Sequence, residues 1–124
     1  MKIRFQENSI RMRLTRSEVA QFHQTGKVMS KVQFPGQKEL NYGLTKTSSH
    51  ELAASFSIDS LTLEIPKELG DTWASTDQIG FEGSVIVGEG IQLQLLVEKD
   101  LQCTSRDWED KSDLFPNPIG QDES

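Results

Sequence analysis

Four cations near the N-terminus alternate with apolar residues. Lys2 and Arg4 flank Ile3, and Arg11 and Arg13 flank Met12. Successive side chains of a strand point to opposite faces, so a hairpin built from these two segments carries all four charges on one side. Like charges at cross-strand distance repel unless an anion lies close. The chemistry they suggest is anion or partner binding: a phosphate, a nucleic acid or an acidic protein surface. A competing outcome is neutralisation by the chain's own acidic residues.

Other reactive residue types are present without the spacing that chemistry needs. Cys103, Glu109, Asp110, Asp113, His23 and His50 could each ligate a metal, yet no C-x-x-C or H-x-x-x-H pattern joins them. The acidic residues do not follow the calcium-loop pattern. Ser49-His50, or Cys103 with His23, could be named as a nucleophile and base, but no G-x-S-x-G elbow surrounds them. Gly88-Glu89-Gly90 fits a hairpin turn and opens no helix, so it is not a phosphate loop. The expectation is therefore no metal, no cofactor and no catalytic residue.

Composition narrows the partner. The chain has 124 residues and a formal charge of −6. Residues 1–46 hold nine basic residues against three acidic ones, a surplus of six. Residues 47–124 hold four basic against sixteen acidic, a deficit of twelve. Net acidity argues against nucleic acid, whose backbone needs a basic surface. No aromatic side chain interleaves the basic face to stack on bases. There is no apolar run of about 20 residues that would span a membrane, and the charged N-terminus is unlike a signal peptide. A cytoplasmic protein with a protein partner, or a homodimer, is the expectation. One cysteine cannot form an internal disulfide.

The elements that must position these residues follow from periodicity. Ile3 and Phe5, then Ile10, Met12 and Leu14, alternate as two strands around an Asn8-Ser9 turn. Thr15-Arg16-Ser17-Glu18 is a capping box that starts a helix running to about Gln24, with Val19 and Phe22 on its apolar face and Gly26 as its stop. Val28, Val32 and Phe34 read as a third strand. Pro35-Gly36 turns the chain, and Leu40, Tyr42 and Leu44 answer as a fourth.

The pattern then recurs. Phe56 lies 51 residues after Phe5, and Leu61, Leu63 and Ile65 lie 51 after Ile10, Met12 and Leu14. Trp73 matches Phe22 and Ile79 matches Val28 at the same offset. Two residues are gained in the next strand or its turn, after which Leu93, Leu95 and Val97 match Leu40, Tyr42 and Leu44 at an offset of 53. Pro66 begins the second helix, at a position where proline is well tolerated. Each copy reads β-β-α-β-β, repeat 1 over about 1–46 and repeat 2 over about 52–99. The expected fold is α+β, mainly antiparallel, a pseudo-twofold barrel or sandwich with two short helices.

Residues 100–118 fit neither copy. They form an acidic tail, with Trp108 and Phe115 as aromatic anchors and Glu109, Asp110 and Asp113 as the carboxylates expected to meet the basic residues. The expectation is a single domain over 1–118 with residues 119–124 disordered. The opening MKIRFQENSIRMRLTRSEVAQF and the close LVEKDLQC…EDKSDLFPNP resemble a family of short bacterial proteins catalogued as a domain of unknown function. That resemblance implies that the tail belongs to the domain, and it implies no activity.

The function expected from these features is a non-enzymatic binding or protein-interaction module. Its surfaces would be the basic hairpin face and the tail. The rival is a small enzyme or ligand-binding barrel with a site in the barrel mouth, which a deep pocket of converging polar groups would reveal.

Overall fold

Thr15 and Gly26 bound the first helix as their chemistry requires. The Thr15 hydroxyl accepts from the Glu18 amide at 3.4 Å, and the Glu18 carboxylate accepts from the Thr15 amide at 2.8 Å. Gly26 adopts the left-handed conformation, φ 84°, which glycine tolerates without a Cβ clash. Around this helix a computed structural model, which describes residues 1–101, runs β1 (Lys2–Gln6), β2 (Ser9–Leu14), α1 (Arg16–Thr25), β3 (Lys27–Phe34), β4 (Lys38–Thr47), β5 (Ala53–Phe56), β6 (Ser60–Pro66), α2 (Lys67–Ser75), β7 (Gly80–Gly88) and β8 (Ile91–Lys99).

The strands form two four-stranded sheets, ordered β1-β2-β8-β7 and β3-β4-β6-β5. Four ladders are antiparallel hairpins. The central ladder of each sheet, β2 with β8 and β4 with β6, is parallel. The fold is thus α+β and rich in strands, with mixed sheets and no closed barrel, which corrects the antiparallel barrel expectation. The physical reason lies in the connections. A parallel pair needs a crossover: β5 lies between β4 and β6 in the chain, and most of the described chain lies between β2 and β8, pairings that a reading of adjacent hairpins does not anticipate.

The two parallel ladders share one register. Ile10 lies opposite Leu95, Met12 opposite Val97 and Leu14 opposite Lys99. In the other sheet Leu61 lies opposite Tyr42, Leu63 opposite Leu44 and Ile65 opposite Lys46. In the outer hairpins Val28 lies opposite Leu44, and Phe81 opposite Val97. Ile79, set beside Val28 in the sequence comparison, precedes β7 and is half exposed, and Phe81 is the β7 residue that lies opposite Val97. Pro66 also moves by one position: it is the N-cap of α2, with extended backbone and no side-chain cap bond, and Lys67 is the first helical residue.

One apolar cluster draws on both sheets and both helices. Met12, Leu14, Phe22, Leu44, Leu63, Ile65 and Trp73 are shut from solvent. Both helices lie at the end where β2, β4, β6 and β8 finish, and they cap the core there. Gly43 of β4 has no room for a side chain. A Cβ there would stand 2.0 Å from the Val28 carbonyl oxygen and 2.8 Å from the Met29 Cα.

Candidate functional site

The basic hairpin is built as its alternation requires. Lys2 lies opposite Arg13 and Arg4 opposite Arg11, so all four cations share the outer face of one sheet. That face also carries its own acids. The parallel register sets Glu98 of β8 directly beside Arg13. Its Oε1 accepts from Arg11 Nε at 3.0 Å and from Arg13 Nε at 3.3 Å. Lys2 Nζ lies 3.2 Å from Asp100 Oδ2. Arg4 has no ion pair among the described residues. Three of the four cations thus meet two carboxylates, and neutralisation begins at the end of β8. Sequence reading placed the counter-charge in the tail beyond. Asp100 opens that tail, whereas Glu98 belongs to β8. Its partnership with the arginines depends on the parallel pairing of β2 with β8. The tail contacts expected at Trp108, Glu109, Asp110, Asp113 and Phe115, and any role of Cys103, fall outside the described residues.

At the helical end, Lys46 links the two helices. Its ammonium lies 2.5 Å from Asp71 Oδ1, donates to the His23 carbonyl oxygen at 2.9 Å and sits 5.6 Å from the centre of the Phe22 ring. Asp71 Oδ1 also lies 3.4 Å from His23 Nδ1. The hydrogen bond from Lys46 holds the Asp71 carboxyl below its ordinary pKa, outweighing a smaller upward push from burial. His50 is exposed in the loop after β4, and Ser49 Oγ accepts from the Glu51 amide. Among the described residues neither side chain is hydrogen-bonded or ion-paired to a titratable side chain. Among the described residues no three or more His, Cys, Asp or Glu side chains gather as a metal site. No helix among them is long and apolar enough to cross a membrane.

The feature that sequence reading missed is at the opposite end. There the inner faces of both sheets become progressively uncovered. On β2, Leu14 and Met12 are fully buried and Ile10 is 6 % exposed, while Phe5 beside it on β1 reaches 58 %. On β3, Val28 is buried at 2 %, Val32 is 42 % exposed and Phe34 51 %. On β5, Phe56, opposite the buried Leu61, is 77 % exposed. The hairpin turns lie at this end, and with them Ile58, Ile86, Val87 and Ile91, all exposed. Exposed apolar patches larger than the roughly 300–600 Å² found on a typical monomer mark interaction surfaces. Alternation could assign Phe5 and Ile10 to one face, but it holds no signal for how far the opposite sheet covers that face.

No curated protein and no solved structure matches this chain. A family model covers residues 1–119, and the chain therefore belongs to that family, described as a family of unknown function (DUF7009).

Proposed function

We propose that the chain is a non-enzymatic interaction module, built from a duplicated β-β-α-β-β unit, whose apolar mouth docks a second copy of itself. The observation that carries this reading is the burial gradient. The core phase of both sheets runs on past the core and ends in Phe5, Val32, Phe34 and Phe56, exposed to water.

The choice of a second copy rests on the like halves of this surface. Phe5 and Phe56 hold matching places in the two sheets, as do Val32 and Val85, by the register of the hairpins and the central ladders. A surface with two like halves is suited to self-complementary, isologous contact. The energetics allow it. Fully burying a large apolar side chain is worth about 1.5–3 kcal/mol. Covering Phe5, Val32, Phe34 and Phe56 on both copies would therefore offset much of an association cost of about 4–15 kcal/mol. The expected dimer is of moderate affinity and depends on concentration.

The test is sedimentation velocity over a wide concentration range. The expected result is a monomer–dimer equilibrium that Phe34→Ser with Phe56→Ser weakens at least tenfold, with circular dichroism unchanged. Concentration-independent monomer for the parent chain would overturn the reading. An apolar ligand retained in the mouth of such a monomer would favour the ligand-binding rival.

A further inference from the structure

We infer that the groove beside α1 is the seat of this chain's own C-terminal segment, residues 102–118. The groove, of about 470 Å³, has an apolar floor of Leu14, Val19, Ala20, Ala74 and Leu101, and a rim that includes Arg16, Lys99 and Asp100, whose carboxylate is paired with Lys2.

Two lysines close the two central ladders at the helical end. Lys46 stands opposite Ile65, and Lys99 opposite Leu14. Each donates to a backbone carbonyl near the end of a helix, Lys46 to His23 and Lys99 to Thr76. Among the described residues Lys46 also has a carboxylate, that of Asp71, and Lys99 has none. The position corresponding to Asp71 can be counted from the helix ends. Thr25 donates to Gln21 O and accepts from the Lys27 amide, and Thr76 donates to Thr72 O and accepts from the Gln78 amide. Five residues before Thr76 is Asp71. Five before Thr25 is Ala20, exposed on the wall of the groove.

The groove is therefore the place of a missing carboxylate. Lys99 and Arg16 have no ion pair among the described residues. A small aliphatic floor takes the space that the acid would need. What fits is a segment with both an apolar side chain and negative charge.

The chain supplies one at the right place. Leu101 lines the groove and leads directly into residues 102–124, which carry six acidic and two basic residues together with Trp108, Leu114 and Phe115. Trp108 lies seven positions after Leu101, a reach of up to about 25 Å when extended, so the segment can turn back across the groove that it leaves. Effective concentration favours this occupant over a free peptide, because the connection is short.

The test uses the full chain with 5-fluorotryptophan at its two tryptophans. Cys103→Ser and Gln24→Cys allow a nitroxide label on the rim. The Trp108 resonance, assigned by Trp108→Phe, should lose most of its intensity when the label is oxidised. It should stay broadened after dilution with unlabelled, non-fluorinated chains. Ala20→Asp, which places a carboxylate beside Lys99, should restore that intensity and raise acrylamide quenching of Trp108 several-fold, with the Trp73 resonance unshifted. A Trp108 that is sharp and quenched like a free peptide in the parent chain would overturn the inference. So would broadening that occurs only between a labelled and a fluorinated chain, because that outcome gives the groove to a second copy's segment. Loss of dimerisation at the mouth does not touch this result, since the two surfaces lie at opposite ends of the fold.

Discussion

Phe22 and Trp73 meet edge to face, with ring centres 6.0 Å apart and planes at 64°. One comes from each helix, and both are fully buried. Trp73 also meets Phe81 edge to face at 5.4 Å, and its indole N–H donates to the Ile79 carbonyl oxygen at 2.9 Å. The pair joins helix to helix and ties α2 to the start of β7. Trp73→Ala should therefore cost about 3–5 kcal/mol in urea melts, the range for a large buried aromatic. That is a large part of the ~5–15 kcal/mol that holds a domain together. A loss under 1 kcal/mol would contradict this packing.

Gly70 makes the close approach of the helices possible. A Cβ there would come within 2.9 Å of the Phe22 ring and 3.3 Å of Ile65 Cγ2. Alanine would normally gain about 1 kcal/mol over glycine inside a helix. Overpacking a filled core costs about 1–3 kcal/mol. Gly70→Ala should thus fail to stabilise the protein and should destabilise it slightly. The same change in a Phe22→Leu background should be neutral or favourable. Additive effects in that double-mutant cycle would show that the ring and the glycine do not touch.

The two helix starts should respond differently to mutation. Thr15→Ala removes one half of a reciprocal cap and should cost ~0.5–2 kcal/mol. Pro66 caps nothing with its side chain, so Pro66→Ser at the start of α2 should cost less than Thr15→Ala. The order of the two midpoints in denaturant decides the matter.

Much of this local structure can be read from the chain because the signals are local. The capping box, Gly26 and the alternation of Ile10, Met12 and Leu14 each involve residues within a few positions of one another. Pairing at long range is different. Alternation tells Arg11 and Arg13 which face to occupy, but not that β8 will lie alongside β2 and bring Glu98 to them. Coverage is a property of the opposite sheet, so Phe34 and Leu44 share a phase while only Leu44 is covered. The site was legible as a charged face and not as an apolar mouth for that reason.

Asp71 makes a specific pH dependence. Its hydrogen bond from Lys46 lowers its pKa in the folded state, against about 4 when unfolded. A lowered folded pKa contributes stability that is present above the unfolded value and lost as pH falls through the folded one. The stability difference between the parent and Asp71→Asn should therefore be constant above about pH 5 and shrink as pH falls below about 4. A difference that grew on acidification would reverse the sign and refute the pairing.

Glu98 offers the most direct test of the basic face. Its carboxylate serves two guanidinium groups, and all three side chains are largely covered, at 26 % exposed for Arg11, 14 % for Arg13 and 22 % for Glu98. Exposed ion pairs are worth only ~0–1 kcal/mol, but hydrogen bonds to charged groups contribute about 1.5–3 kcal/mol. Glu98→Gln should accordingly cost roughly 1–2 kcal/mol at low salt, between these two ranges. Much of that loss comes from repulsion between Arg11 and Arg13, so it should diminish near 1 M salt, where the screening length is about 3 Å. The variant should also elute later than the parent from a phosphate-bearing cation exchanger, because Lys2 and Arg4 extend the same positive field. Unchanged elution together with a clear stability loss would mean that another anionic part of the chain covers the face. Unchanged stability would mean that the two arginines are held in place by something other than Glu98.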